Sequence, residues 1–200
     1  MKRVARLIAI FLLIATAAGA FEWNSVAARV ERSLVALKTL EGQIYCTGFV
    51  INNEENYVLT AAHCVDHTLG LVVDKKFAWV VWQDKEADLA VIEAPAVNRP
   101  ELKPGQSPVR GEGIASLGFG YGFSEGMFAT GQVSSVGQVV DGLPGKWVVI
   151  NFALIPGMSG GPTVDMDGKV VMINQRGNDV IGLGRSIDDI YKMTEEFWRD

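Results

Sequence analysis

The chain is predicted to be all-β, on three observations. Short β-rich segments alternate with polar or glycine-bearing turns, 22 glycines are spread along 200 residues, and helical patterning is confined to the N-terminal region and the C-terminal end. Pro95, Pro100, Pro104, Gly105, Pro108, Gly111 and Gly113 crowd residues 94–113 and read as a stiffened connector between two halves of similar length. Two small barrels fit that division, one over residues 21–105 and one over 106–200.

The first twenty residues stand apart. Lys2, Arg3 and Arg6 precede the apolar run Leu7–Ala18, and Ala18-Gly19-Ala20 supplies small residues for cleavage. That is the three-part pattern of a secretory signal, so the protein is expected to be exported, to the periplasm or outside the cell. The run is short beside the ~20 residues of a membrane span, which makes an uncleaved anchor the lesser reading and membrane contact transient. Loss of those three cations takes the formal charge from −5 to −8. Such an acidic balance argues against nucleic acid or anionic membrane as the main partner.

Trp23 to Arg32 carries Val26, Ala27 and Val30 at helical spacing, with Asn24 or Ser25 as cap. Strands follow at Ser33–Thr39, Gln43–Ile51 and Tyr57–Thr60, the last two separated by the polar turn 52–56. Leu71–Val73, Phe77–Gln83 and Leu89–Glu93 complete the first half. In the second half Ile114–Leu117, Gly131–Val140, Trp147–Ala153, Gly168–Asn174 and Val180–Gly184 read as strands, with a glycine-rich stretch at 118–126. Ser186 caps a final helix reaching Arg199, whose stripe of Ile187, Ile190, Tyr191, Thr194 and Phe197 packs on the body.

The chemistry centres on Pro156-Gly157-Met158-Ser159-Gly160-Gly161-Pro162. A serine framed by glycines sits on a tight turn, where its hydroxyl is accessible and a carbonyl can come close. It needs a base to take its proton and a third group to orient that base. His63 ends an apolar strand and serves as that base, while His67, after Asp66 on a loop, reads as a surface residue. Asp88 leads into the apolar strand Leu89-Ala90-Val91-Ile92, where a carboxylate requires a partner. Asp84 competes, in the polar setting Gln83-Asp84-Lys85-Glu86. Cys46 and Cys64 suggest one disulfide in an exported protein, or else two buried thiols. Two histidines without Cys-x-x-Cys leave no zinc ligand set, and no cofactor is expected.

Thr60-Ala61-Ala62-His63-Cys64, Ala87-Asp88-Leu89-Ala90-Val91 and Gly157-Met158-Ser159-Gly160-Gly161-Pro162, in the order His, Asp, Ser, resemble the chymotrypsin-like serine proteases. Gly131-Gln132-Val133-Ser134-Ser135, Pro156-Gly157 and Asp167-Gly168-Lys169-Val170-Val171-Met172-Ile173-Asn174 are similar to the protease domain of bacterial HtrA-type enzymes. The resemblance implies two six-stranded antiparallel barrels with a C-terminal helix and a site in the cleft between the barrels. It implies a Cys46–Cys64 disulfide, as in the animal secreted branch, though HtrA-type domains often lack one. It implies Ser159 as nucleophile, His63 as general base and acid, and Asp88 as orienting carboxylate, cleaving polypeptides through an acyl-enzyme.

The same resemblance gives the Gly157 and Ser159 amides as the oxyanion hole, each worth roughly 3 kcal/mol of barrier. Asn174, Gln175 and Arg176 match the strand that pairs with an extended substrate. Met158 replaces the Asp that receives a new N-terminus in digestive members, so that activation route is not expected. Ala153, Leu154 and Ile155 match the specificity pocket and bring no acid, implying small or aliphatic residues before the scissile bond. HtrA-type proteins usually append a PDZ domain, and none is expected after the final helix. Phe21-Glu22-Trp23 supplies aromatic contacts for a homo-oligomer, or Trp23 simply packs the first barrel. The alternative to an active endopeptidase is a protease-like binding or scaffold module without catalysis.

Overall fold

The computed structural model of the chain describes residues 23–66, 70–95 and 97–198. Residues 1–20, read above as a secretory signal, Phe21, Glu22, His67 and Arg199 lie outside the described residues. Helix α1 covers 23–31, as its periodicity predicts.

Strands β1 (Leu34–Lys38), β2 (Ile44–Asn52), β3 (Tyr57–Thr60), β4 (Leu71–Val73), β5 (Lys76–Asp84) and β6 (Leu89–Glu93) form a closed antiparallel barrel in the order β1-β2-β3-β6-β5-β4. Lys38 opposite Val72 closes it. Strands β7 (Gly113–Gly118), β8 (Met127–Val140), β9 (Leu143–Ile150), β10 (Pro162–Val164), β11 (Val170–Gly177) and β12 (Gly182–Ser186) form the second, in the order β10-β11-β12-β9-β8-β7. Thr163 opposite Ser116 closes that one. The predicted double barrel is present.

Alternation along the strands explains why several read as unbroken apolar runs. On β1 and β2, Val35, Leu37, Cys46 and Val50 join an apolar cluster made by the first barrel alone. Their neighbours Leu34, Phe49 and Ile51 join a second cluster, shared with Ala115, Leu117 and Ile173 of the other barrel. Successive side chains point to opposite faces, and here both faces are covered. Each large side chain buried in the shared cluster contributes about 1.5–3 kcal/mol, so the two barrels stabilise one another directly.

The proline-rich connector is stapled to both halves. Leu102 donates its N–H to Val50 O at 2.9 Å, and Val170 donates to Lys103 O at 2.9 Å. Gly105 returns a bond to Val170 O at 2.7 Å.

Element ends differ from expectation for identifiable reasons. Strand β9 stops at Ile150 instead of 153, because the Asn151 side chain takes over the ladder by accepting from Gln132 N–H at 2.7 Å. Strand β10 is three residues long and shows no periodicity to read. Helix α2 spans Ile187–Thr194 and tightens into a 3-10 turn over Glu195–Phe197. Thr194 Oγ1 donates to Ile190 O and accepts from Trp198 Nε1 there. Ser186 occupies the N-cap position but makes no capping bond, and its hydroxyl donates to Asp189 Oδ2 at 3.3 Å instead. Trp23 packs on the shared cluster and tilts against Phe128, with 6.0 Å between ring centres.

Cys46 on β2 and Cys64 are paired, with 6.0 Å between their α-carbons and a sequence separation of 18. Both are buried. Closing a loop of this size restricts the unfolded chain by about 3 kcal/mol on chain-entropy grounds. Denaturant titration with and without reductant is therefore expected to show a loss of that order on reduction; unchanged stability would contradict a formed link.

Candidate active site

Strand β3 delivers the histidine. It ends at Thr60, and a single 3-10 turn over Ala62–Cys64 follows, with Ala62 and Cys64 buried and the His63 side chain 40% exposed. The turn between β5 and β6 delivers the acid. Asp84 Oδ1 accepts from Ala87 N–H at 2.8 Å and caps this turn, so the alternative acid has a local structural use. Asp88 leaves the turn at φ 57°, in the left-handed region. That conformation costs a non-glycine residue on the order of 1 kcal/mol, least for Asp and Asn.

The Asp88 carboxylate, 6% exposed for the whole residue, closes on His63 twice. It accepts from the His63 main-chain N–H at 2.9 Å and meets ring Nδ1 at 2.9 and 3.0 Å. An ionised carboxylate only accepts, so Nδ1 carries the proton and Nε2 presents its lone pair.

The serine lies on the other barrel, in the loop between β9 and β10. Met158 N–H donates to Ile155 O at 3.1 Å, and Gly157 has φ +96°. With proline at the second position and glycine at the third, this is a type II turn. Glycine is required: a methyl group there would stand 2.3 Å from Phe119 O. Tyr121 N–H holds Pro156 O at 2.7 Å, and in a trans peptide the Gly157 N–H must then point the opposite way. Among the described residues neither the Gly157 nor the Ser159 N–H meets an acceptor, and the Ser159 hydroxyl donates to none.

Thr47, on β2 of the first barrel, seats this loop. Its N–H donates to Ser159 O at 2.9 Å and its Oγ1 donates to Gly157 O at 2.7 Å. The same oxygen accepts from Phe119 N–H at 2.9 Å, while Thr60 Oγ1 donates to Thr47 O at 2.8 Å. Gly160 fits so tightly here that a methyl group would lie 2.2 Å from both Thr47 O and Thr60 Oγ1. Cys64 Sγ lies 3.7 Å from Ser159 O. The main chain carrying the serine is thus pressed against the segment carrying the histidine.

Ser159 borders a cleft of about 410 Å³, walled by Leu154, Ile155 and Pro156 on one side and residues 174–177 of β11 on the other. Ala153 precedes that wall and does not border the cleft. Met158 is buried in the second barrel's cluster. The Asn174 side chain turns inward, its Oδ1 accepting from Thr163 and Ser116 hydroxyls. The Gln175 side chain crosses to the first barrel, its Nε2 donating to Ala87 O at 2.8 Å and Asp88 O at 2.7 Å. Arg176 is exposed. The sulfurs of Cys46 and Cys64 lie near the His63 ring, but they are joined to each other and offer no thiolate to a metal.

Sequence reasoning missed Thr47 and Arg185, and nothing local marks either. The hydrogen-bond partners of their side chains lie 72 to 110 and 39 to 99 residues away in the chain.

A family model described as a trypsin-like peptidase domain matches residues 46–173. A probable periplasmic serine endoprotease, DegP-like, of Hahella chejuensis is 31% identical over 147 residues, covering 68% of this chain and 30% of that protein. Its Chlamydia muridarum counterpart is 30% identical over 158 residues, covering 72% and 31%. The chain thus spans about 30% of the length of these curated relatives. Among solved structures, the HtrA-type protease AlgW with decapeptide superposes with a TM-score of 0.77 at 21% identity, covering 86% of this chain and 66% of that one. The serine endoprotease from Yersinia pestis gives 0.76 at 22%, covering 89% and 67%. Both share the fold.

Thr47→Val keeps the shape and strips the hydroxyl, leaving buried Gly157 O and Phe119 N–H without their partner. Stability is expected to fall by about 2 kcal/mol, with Thr47→Ser retaining most of it, both read by chemical denaturation. Equal stability in all three proteins would show that these bonds hold nothing.

Proposed function

The chain belongs to the trypsin-like peptidase domain family, and on that premise we propose that it is an exported serine endopeptidase working through Ser159, His63 and Asp88. The observation that carries this reading is the Asp88 carboxylate bound to both the main chain and the ring of His63. A buried acid is costly, and its pairing with this ring leaves Nε2 available as a base.

In the proposed reaction Ser159 Oγ attacks the substrate carbonyl carbon while His63 Nε2 takes the hydroxyl proton. Negative charge then develops on the carbonyl oxygen, which the free Gly157 and Ser159 N–H groups would receive. Each such donor supplies roughly 3 kcal/mol, because it is fixed before charge appears. The C–N bond breaks, His63 returns its proton to the leaving amine, and Ser159 remains esterified. Water attacks that ester with His63 again as base, releasing the acid and the free serine. Asp88 holds the ring and stabilises its cation throughout. The Ser159–His63 hydrogen bond forms in this scheme when substrate binds, as such bonds commonly tighten only then.

The substrate would be an extended polypeptide alongside residues 174–177 of β11, bound largely through its main chain. Preference for small or aliphatic residues before the scissile bond is supported by the cleft itself. No carboxylate borders it among the described residues, and Leu154 leans on Gly177 and Gly182, where a methyl would meet it at 2.7 and 2.6 Å. A periplasmic location is supported by the names of the relatives and by the Cys46–Cys64 pair, which needs an oxidising compartment.

A fluorophosphonate probe is expected to label the native protein, to leave Ser159→Ala untouched, and to label His63→Ala at least about 10³-fold more slowly. A folded protein that stays unlabelled favours the binding-module alternative. With a peptide series, cleavage after Ala or Val is expected to exceed cleavage after Arg, and a clear Arg preference would overturn the pocket assignment.

A further inference from the structure

Arg185 lies on β12 of the second barrel, yet it is 6% exposed and its guanidinium reaches into the first. On its own side Nη2 donates to Pro144 O at 2.7 Å and Nη1 to Lys146 O at 3.1 Å, both in the β9 arm of the hairpin. Across the junction Nε donates to Ala87 O at 3.3 Å and Nη2 to Glu86 O at 3.4 Å. The Trp147 ring lies beneath it, 4.7 Å from Cζ to ring centre. Burial pushes the guanidinium below its ordinary range, and the surrounding carboxylates of Asp189, Asp88, Asp84 and Glu86 oppose that shift.

Glu86 and Ala87 are the two residues before Asp88. Gln175 adds bonds to Ala87 O and Asp88 O, so groups from the second barrel hold three successive carbonyls of this turn. The turn must also keep Asp88 in the left-handed region, a conformation that persists only where the surroundings over-determine it. A buried cation spanning the two barrels is a costly way to fill space, since an apolar side chain of similar volume would serve packing as well. A planar fork of donors, by contrast, suits several fixed carbonyls at once.

We propose that Arg185 is a positioning residue for the reaction: by clamping the 86–87 main chain onto the second barrel, it sets the Asp88 carboxylate where it can orient the His63 ring. The proposal rests on the endopeptidase reading above and deepens it. Local motion of the turn between β5 and β6 would otherwise swing the acid relative to the histidine, which sits on a different turn of the same barrel. A displacement of about 1 Å at a positioning contact can cost on the order of 10² in rate.

The test uses Arg185→Met, Arg185→Lys and Arg185→Ala in the full chain. The readouts are kcat and KM on a peptide substrate, the thermal midpoint, and the low-field proton resonance of the His63 Nδ1–H. Arg185→Met is expected to lower kcat about 10²-fold with KM nearly unchanged, and to broaden or shift the low-field resonance. Arg185→Lys retains charge but loses the fork, and is expected to fall between Met and the native protein. A cavity of about 460 Å³ bordered by Arg185 opens beside it, so methylguanidinium is expected to restore part of kcat to Arg185→Ala and none to Asp88→Ala. Native kcat and an unaltered resonance in both Met and Lys variants would overturn the proposal, as would a lowered midpoint with kcat intact. If the Met variant does not fold, the Lys variant decides by the same criteria. If the native protein shows the low-field resonance but no cleavage and no probe labelling, the endopeptidase reading fails, and the resonance alone then judges the clamp.

Discussion

The arrangement depends on keeping two barrels in one register, because the histidine and acid belong to one and the serine loop to the other. Thr47 is where that constraint is met. One residue on β2 binds the carbonyls of both Gly157 and Ser159, and its hydroxyl is itself fixed by Phe119 N–H. The carbonyls of Gly157 and Ser159 being held on the first barrel, the amides of the same two residues meet no acceptor among the described residues. Two carbonyls satisfied and two N–H groups unpaired are what an anion developing on a carbonyl requires. The apolar cluster shared between the barrels supplies the non-directional part of the adhesion, and these few bonds supply its direction.

Charge is placed by the same logic. Asp88 is nearly buried, and the structure offsets this by giving it two donors from His63; among the described residues no lysine or arginine bridges to it. Arg185 is buried on the other barrel and spends its donors on carbonyls, at the back of the turn that carries Asp88. The acid and the cation thus act on one short segment, the carboxylate meeting His63 and the guanidinium meeting the carbonyls of the two residues before it.

Much of this was legible in the sequence where chemistry restricts residue type. Ser159 between glycines, an acid leading into an apolar strand, and a histidine closing another are unusual choices, and the structure brings His63 and Asp88 together. The double barrel was legible because proline and glycine mark the connector and because the strands are short. Strand ends were less so: Asn151 imitates the ladder with its side chain, and Val164 belongs to a strand too short for a period. Asn174 and Gln175 were placed on the cleft by their strand, yet their side chains are turned into the body, leaving main chain at the cleft. Thr47 and Arg185 were illegible. A threonine in a strand and an arginine near a helix are ordinary locally, and what distinguishes them is which distant carbonyls they meet.

A structure of the protein inhibited by a peptidyl boronate tests the central claim most directly. A covalent bond to Ser159 Oγ is predicted, with one boronate oxygen roughly 3 Å from both the Gly157 and Ser159 nitrogens, and His63 Nε2 beside the other. An adduct whose oxygen faces solvent, or a Pro156–Gly157 peptide turned so that its carbonyl occupies that position, would contradict it.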